Sequence, residues 1–408
     1  MIFYPSKNMG QMGVFKRLLI IYLIIFTEVL GFSIVIPVLP FLALSLGLNY
    51  FQIGLVLAVF SICQLVASPV WGKLSDRYGR KPILILSQIS TFIGFILLGI
   101  ATTVLILVLA RVVDGLLGSN MTVAQAYLSD ITEPRDRTRA YGYSSAVFGL
   151  ALIIGPLIGG ILSTIDYSVP MFVAAGVCLV SIILVLFFLP ESHVDRDQES
   201  KITFNDIIPI KDAKRFFKDP KVRGILVIFF IYSLAFMLFI STFALYADSQ
   251  LRVTALMLGL FMAFIGIFRV VFQITLNTRL QKKLGDGLTL KLGILALIIA
   301  MVLFVFITEP MIVFLPLIFL AFGTGVGRPI LTSKLSKSVE RKDTGALMGV
   351  NNALGSIAMV ITPILGGALL FYVASQSVPA LSAALFCLIF VLWGWAFTKP
   401  FSIDENHE

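Results

Sequence analysis

Three charged residues lie inside strongly apolar stretches of the sequence. The two carboxyl groups among them could take up and release a proton there. Glu28 lies about ten residues into its stretch, roughly 15 Å deep if the stretch is helical. Arg111 and Asp114 lie about equally deep in another stretch. An ionised side chain without a partner is costly in hydrocarbon, so a carboxyl group there favours its neutral form and can take up and release a proton.

The two carboxylates differ in their nearest cation. Arg111 and Asp114 are three residues apart, share a helix face and can pair, which favours the ionised form of Asp114. Glu28 has no cation on its own helix, so it is the better candidate for the proton carrier. The alternatives are a purely structural Arg111–Asp114 ion pair, and a Glu28 carboxyl that only hydrogen-bonds a neighbouring helix.

Other chemistry finds little support in the sequence. There is no phosphate-binding Gly-x-x-x-x-Gly-Lys run and no His/Cys spacing typical of a metal site. Both histidines, His193 and His407, fall in predicted cytoplasmic segments, which leaves carboxylates as the proton carriers. We therefore expect no catalytic residues, no metal and no cofactor, so that the proton gradient would be the energy source and the protein would not be an enzyme.

The composition indicates that lipid surrounds the chain. Hydrophobic residues make up 58% of the 408 positions and charged residues only 13%, with a mean hydropathy of +1.00. Apolar stretches predict twelve transmembrane helices, of which the fourth covers 103–128. The expected fold is all-α and integral to the membrane: a six-helix bundle over 1–190, a cytoplasmic linker over 191–221 and a second six-helix bundle over 222–408.

The basic residues predict how these helices are oriented. Most of the 31 Lys and Arg residues fall in loops on one side, which is the cytoplasmic side by the positive-inside rule, so both termini are expected inside the cell. The net charge of +9 is therefore interpreted as a topology signal, with affinity for the lipid bilayer and none for nucleic acid. The end of the linker, 210–223, is expected to form a short interfacial helix.

The two halves of the sequence resemble each other. Residues 133–162 match residues 340–369, and the match includes the sequence Pro-x-x-Gly-Gly. A second match at nearly the same offset places Gly79 over Gly285. Duplicated helical bundles that handle substrate near the membrane midplane are typical of secondary transporters.

The loop after the second span carries a dense motif of glycines and charges. Asp76 can receive a helix N-terminus or a neighbouring arginine, and Arg80 and Lys81 can pair with acids such as Asp130 at the end of the fourth span. A plain basic loop would account for the charge but not for the spacing. The motif residues are Gly72, Asp76, Arg77, Gly79, Arg80 and Lys81.

This loop resembles motif A of the major facilitator superfamily. The segment Arg111–Gly118 is similar to motif B, and a glycine-rich segment in the fifth span is similar to motif C of drug:proton antiporters. The segment from Glu28 to Pro40 resembles the start of tetracycline and multidrug efflux transporters. The second half departs from motif A, because Thr278–Gly285 lacks the first glycine and the aspartate. The motif C residues are Gly149, Gly155, Pro156, Gly159 and Gly160.

The resemblance implies a multi-pass protein of the inner (cytoplasmic) cell membrane that exports small apolar or cationic compounds in exchange for protons. It implies proton coupling by Glu28, Asp114 and Arg111, a conformational latch formed by the motif A residues with Asp130, and a monomer whose partners are the substrate and the proton. A proton-coupled transporter of a sugar, peptide or organic anion is the alternative. We predict a substrate cavity lined by Phe32, Gln64, Asn120, Gln125, Tyr232, Phe236, Phe239, Asn351 and Arg328.

Two features of the second half each allow more than one interpretation. Aromatic residues of the seventh span repeat every three to four positions and form one helix face, which suits core or lipid packing as well as a cavity wall. Arg269 and Arg328 lie near the cytoplasmic ends of their spans, where they can extend to the interface. The alternative for these two arginines is contact with an anionic cargo or a gate.

Overall fold

The computed structural model describes residues 11–118, 120–133, 136–192, 209–340 and 342–397, and these residues are overwhelmingly helical. His193, His407 and most of the predicted linker lie outside the described residues. The helices are α1 Gln11–Val35, α2 Leu39–Ser45, α3 Tyr50–Tyr78, α4 Arg80–Gly99, α5 Val104–Leu117, α6 Asn120–Ile131, α7 Arg137–Leu162, α8 Ser168–Phe188, α9 Ile210–Lys218, α10 Pro220–Leu251, α11 Ala255–Phe272, α12 Thr278–Phe306, α13 Phe314–Ser336, α14 Thr344–Tyr372 and α15 Ser377–Phe397.

Long apolar helices dominate the part of the chain that the structure describes. Ten helical segments there are long and apolar enough to cross a membrane, and one of them, 255–306, has 52 residues. Gly285 breaks that segment with a φ of 74°, so it provides two stretches of spanning length. A shorter apolar helix covers Ser377–Trp393. The all-α membrane fold is confirmed, whereas the count of twelve and the cytoplasmic termini stay predictions.

The chain divides into two compact units. The first comprises 1–207 with 252–267, and the second comprises 208–251 with 268–408. The beginning of α11 thus packs with the first unit, although it lies in the second half of the sequence. The predicted bundle boundaries at 190 and 221 stay predictions.

In the first unit α1 is the central helix. Ile21, Ile24 and Ile25 are fully buried, and α1 packs against α7 and α8. The Ser33 hydroxyl donates to the Ala151 carbonyl at 2.9 Å and ties α1 to α7. A Cβ atom at Gly155 would lie 2.7 Å from the Ser33 Cβ, so the close approach of the two helices requires glycine there.

The rest of motif C is also explained by packing. A Cβ at Gly160 would lie 3.0 Å from the Leu256 Cα of α11, and one at Gly159 would lie 3.0 Å from the Ile34 carbonyl carbon. Pro156 lies within α7. Gly149 has open space beside it and makes no such close approach. Four of the five motif residues therefore lie where α7 meets its neighbours.

The span predicted over 103–128 is present, but it is not one continuous helix. It consists of α5 and α6, and Gly118 leaves the helical conformation between them with a ψ of 75°. A Cβ at Gly118 would lie 2.7 Å from both Asp114 Oδ1 and Thr91 Oγ1. The predicted span is therefore found with a break inside it, which the sequence does not reveal because the hydrophobic pattern continues on both sides.

In the second unit, aromatic packing joins α10 and α12. Phe239, Phe243 and Tyr246 contact Phe304, and the Tyr246 hydroxyl donates to the Phe304 carbonyl at 2.5 Å. The short helix expected within 210–223 is present as α9. Its Phe216 is buried, and Arg215 pairs with Asp343 at 2.7 Å beside the start of α14.

Candidate functional site

The Glu28 carboxyl lies at the break between α5 and α6. Asn120, the first residue of α6, donates its amide to Glu28 Oε2 at 2.6 Å and to Thr91 Oγ1 at 3.0 Å. Three helices, α1, α4 and α6, therefore meet at one polar point inside an apolar bundle. Asn120 can reach both partners because the chain leaves the helix at Gly118 and restarts at Asn120.

A second hydrogen-bonded pair lies beside the same carboxyl. Gln88 donates to the Ser181 hydroxyl at 2.7 Å, and both side chains are fully buried. They come from α4 and α8 and lie close to Glu28. Each of these residues is an ordinary polar side chain in its own span, so only the fold shows that they share a site.

Several acceptor atoms of this cluster are buried, with the Gln88 and Ser181 side chains close to the Glu28 carboxyl. Within the described part of the chain, Glu28 Oε1, Asn120 Oδ1 and Gln88 Oε1 are buried and make no hydrogen bond. A buried acceptor without a donor is unfavourable. A proton on the Glu28 carboxyl would supply a donor at this point, so the arrangement is suited to take up a proton.

Arg111 and Asp114 form the neighbouring charged pair. Arg111 Nη2 lies 3.6 Å from Asp114 Oδ2, and both residues are buried, at 3% and 4% exposure. The guanidinium carbon lies 5.4 Å above the Phe60 ring. Arg111 Nε and Nη2 make no hydrogen bond to any described residue. The pair is thus loosely matched, and the arginine keeps donors for another acceptor.

Glycines bring the helices close around this pair. A Cβ at Gly94 would lie 2.9 Å from the Asp114 Cβ, and a Cβ at Gly115 would lie 2.7 Å from the Cys63 Cβ. Helices α3, α4 and α5 therefore pack closely around Asp114. Close packing lowers the local dielectric, which strengthens the interaction of Asp114 with Arg111.

The predicted latch residues form a second cluster at the turn between α3 and α4. Arg80 pairs with Asp76 at 2.5 Å and with Asp130 at 3.0 Å, and it also donates to the Ser75 hydroxyl at 2.6 Å. Arg80 is 7% exposed, so one buried guanidinium ties α3, α4 and α6 together. Gly79 makes the turn with a φ of 103°.

Glu191 belongs to this cluster, although the sequence analysis did not single it out. Its carboxylate accepts the backbone N–H groups of Arg80 at 2.9 Å and Lys81 at 3.2 Å. These groups begin α4, so Glu191 caps that helix from the end of the sixth span. The available signal was a lone acid directly after the apolar run of α8.

Three other motif A residues contribute less directly. The Lys81 ammonium donates to the Leu186 carbonyl at 2.9 Å rather than to Asp130. Arg77 is exposed over the Tyr78 ring. A Cβ at Gly72 would lie 3.6 Å from the Thr122 Cγ2 of α6, which is ordinary contact.

The residues predicted to line the substrate cavity differ in how deeply they are buried. Phe32 is 40% exposed and stacks on Phe60, whereas Gln125 is exposed and Gln64 and Asn351 are half-buried. Asn120 lies at the Glu28 cluster described above. In the second unit Arg328 is exposed and Phe236 is half-buried, but Tyr232 and Phe239 are buried, at 2% and 0% exposure. Phe239 is a core residue in this conformation.

Comparisons with known proteins identify the family of this chain. The family model of the Major Facilitator Superfamily matches residues 21–363. The chain is 31% identical to a tetracycline resistance protein, class C, of Escherichia coli over 86% of this chain and 88% of that protein. It is 31% identical to multidrug resistance protein 2 of Bacillus subtilis (strain 168), over 85% of this chain and 86% of that protein.

Solved structures share the fold at much lower identity. A point mutant of the nucleoside transporter NupG superposes with a TM-score of 0.78 at 13% identity, over 93% of this chain and 99% of that chain. The human organic anion transporter MFSD10 (TETRAN) gives a TM-score of 0.69 at 18% identity over the same shares. These two matches support the fold alone.

Proposed function

Because this chain belongs to the Major Facilitator Superfamily, we propose that it is a secondary active exporter that moves small apolar or cationic compounds in exchange for protons by alternating access. The observation that carries the proposal is the Glu28 cluster, where three buried acceptors make no hydrogen bond to any residue that the structure describes. The similarity to tetracycline and multidrug resistance proteins supports the cargo class.

In this mechanism Glu28 is the group that takes up and releases the proton. When ionised, its carboxylate attracts a cationic cargo and accepts the Asn120 amide. When protonated, the carboxyl is neutral and loses that attraction. Proton and cargo therefore compete for one group, which is the basis of antiport.

Arg111 makes the competition sensitive to the cargo's charge. Its guanidinium stays protonated inside a protein, so it is a fixed positive charge. Asp114 compensates only part of this charge, because its Oδ2 lies 3.6 Å from Arg111 Nη2 without a hydrogen bond between them. Protonation of a nearby carboxyl leaves the positive field of Arg111 less compensated, and a cationic cargo is then repelled as the proton arrives.

The cytoplasmic cluster around Arg80 sets the rate of the conformational change. Its ion pairs hold three helices of the first unit in one arrangement, so they must favour one state of the transport cycle over another. This cluster is separate from the Glu28 cluster, and we assign it no contact with cargo.

The remaining assignments complete the proposal. The proton gradient drives transport without a bound cofactor, the protein acts as a monomer in the inner membrane, and it has no enzymatic step. A proton-coupled transporter of a sugar, peptide or organic anion is the alternative that cargo experiments distinguish from the exporter.

The experiment is proton movement in reconstituted vesicles that contain a pH-sensitive dye. Cationic drugs, tetracyclines, sugars and organic anions are added in turn, and empty vesicles are the control. We expect cationic drugs or tetracyclines to move protons and sugars to have no effect. Proton movement only with sugars or peptides would replace the exporter with the alternative, and none with any compound would contradict proton coupling.

A further inference from the structure

The membrane helices of the second unit carry two arginines near one buried phenol. Tyr232 of α10 is 2% exposed, and its hydroxyl makes no hydrogen bond to a described residue. Arg269 of α11 and Arg328 of α13 both lie close enough to Tyr232 to interact with it electrostatically, and close enough to interact with each other. Three helices thus bring two like charges and one unpaired hydroxyl to the same place.

A glycine-rich part of α13 allows this approach. A Cβ at Gly325 would lie 2.9 Å from the Arg269 carbonyl oxygen, and a Cβ at Gly327 would lie 3.4 Å from the Tyr232 hydroxyl. A π-helical turn, Gln273–Asn277, follows Arg269 closely, and its first residue also packs beside Gly325. Such turns redirect side chains and occur often at functional sites.

Few acids lie in the membrane helices of the second unit. Its membrane helices carry carboxylates only near their ends, at Asp248 and Asp286. No described residue forms a carboxylate ion pair with Arg269 or Arg328, whereas the structure does give such pairs to Arg80, Arg111 and Arg215. Two neighbouring cations without a counter-charge are unfavourable in a low dielectric, and an anion from outside would relieve both.

Accessibility favours a ligand over a structural role. Arg328 is exposed and Arg269 is partly exposed, so the described residues enclose neither arginine completely. Arginine suits carboxylates and sulfonates because its planar fork can donate two parallel hydrogen bonds. The Tyr232 hydroxyl can add one more donor.

We propose that Arg269, Arg328 and Tyr232 form a binding site for the carboxylate or sulfonate group of a small amphipathic molecule. The site deepens the proposed function, on which its transport role rests, since it names a chemical group that the cargo carries. It is distinct from the Glu28 cluster, which binds the proton. A cargo with both a cationic and an anionic group would satisfy this site better than a simple cation.

The experiment compares two dyes that differ in one group. Rhodamine 6G is a cationic ester, and its free acid has the same ring system with a carboxylate. Binding of each dye to the detergent-solubilised full chain is measured by fluorescence anisotropy at fixed salt and pH. The variants are Arg269→Gln, Arg328→Gln and Tyr232→Phe, and the control is Arg279→Gln, which removes an exposed arginine ten residues further along the chain.

We expect the unaltered protein to bind the acid more tightly than the ester. Arg269→Gln and Arg328→Gln should each weaken binding of the acid on the order of tenfold, as for a hydrogen bond to a charged group, and leave the ester unchanged. Tyr232→Phe should weaken it less, and Arg279→Gln should change neither dye. Equal loss for both dyes, or no preference for the acid in the unaltered protein, would overturn the site.

Proton movement in vesicles separates this site from the exporter proposal. If the ester moves protons but the protein does not bind the acid more tightly than the ester, the exporter proposal stands and the anion site is contradicted. If the acid binds in an arginine-dependent manner while neither dye moves protons, the site stands and proton-coupled export of these dyes falls. Arg269→Lys and Arg328→Lys retain the charge, so partial recovery of acid binding shows that charge, and not folding, is responsible.

Discussion

Both halves of the chain place arginines inside membrane helices, but only the first half places carboxylates beside them. Arg111 lies 3.6 Å from Asp114, with Glu28 in the neighbouring cluster, whereas Arg269 and Arg328 lie near Tyr232 and pair with no carboxylate among the described residues. A carboxyl group can change charge in the physiological range and an arginine cannot. The comparison shows that groups able to exchange a proton lie beside the arginine of the first half, while Arg269 and Arg328 of the second half offer fixed positive charge.

The turns at Gly79 and Gly285 differ between the two halves in the same way. Gly79 and Gly285 occupy matching positions of the repeat, with φ of 103° and 74°. The first turn is buried and held by Arg80 and Glu191, whereas Gly285 has open space around it. Lys282 and Asp286 stand where the first half has Asp76 and Arg80, so the signs are reversed. The turn is kept in both halves, but its buried charge cluster occurs in the first.

The largest effect is expected at Arg111. Arg111→Ala should abolish coupled transport, and Arg111→Lys should restore only part of it, because an ammonium lacks the planar fork that can serve two acceptors. Cargo affinity measured against pH should lose its midpoint in Arg111→Ala and keep it in Arg269→Ala. If the midpoint is the same in the unaltered protein and Arg111→Ala, the Arg111–Asp114 pair is only structural.

A smaller effect is expected at the turn around Gly79. Asp76→Asn should lower the transport rate by roughly three- to tenfold with little change in cargo affinity, since it weakens an ion pair that sets conformational populations. The matched change in the second half, Asp286→Asn, should leave the rate unchanged. Initial rates and binding affinities in the same preparation check this. Weaker cargo binding at an unchanged conformational equilibrium would contradict the latch.

The smallest effects concern stability at the two turns. Gly285→Ala should cost about 1 kcal/mol, because a side chain disfavours a positive φ even in open space. Gly79→Ala should cost about 1–3 kcal/mol more, since its Cβ would lie 2.5 Å from Glu191 Oε2.

Thermal unfolding in detergent ranks these variants. Gly142→Ala is the control, because it lies on α7 in open space with no positive φ. It should be neutral or slightly stabilising. Equal destabilisation by Gly79→Ala and Gly285→Ala would show that the Glu191 cap adds no constraint at the first turn.

In the first half of the chain, much of the candidate site could be predicted from residue types and spacing. Glu28, Arg111 and Asp114 stand out because charge is rare in apolar stretches, and the Arg80–Asp130 pair follows from the motif spacing. The repeat also aligns Gly79 with Gly285, and both glycines have a positive φ in the structure. Such features depend on local sequence, where charge and glycine have few explanations.

The rest of the site depends on contacts between helices distant in sequence. Asn120, Gln88 and Ser181 each lie on a different helix, and a polar residue in one span gives no sign of its partner in another. The helix break at Gly118 could not be predicted from the sequence, because apolar residues continue on both sides of it. Glu191 is hidden because its role is defined by backbone N–H groups of α4, which have no side-chain signature.

The most direct test of the central claim is proton movement by Glu28→Gln in reconstituted vesicles. The cargo is a compound that moves protons with the unaltered protein, and the control is Glu309→Gln, which removes an exposed loop carboxylate. We predict that Glu28→Gln folds and inserts but binds a cationic cargo more weakly, moves no protons and no longer accumulates cargo against its gradient, while Glu309→Gln behaves like the unaltered protein. Uphill transport with normal proton movement in Glu28→Gln would contradict the account and assign the proton to Asp114.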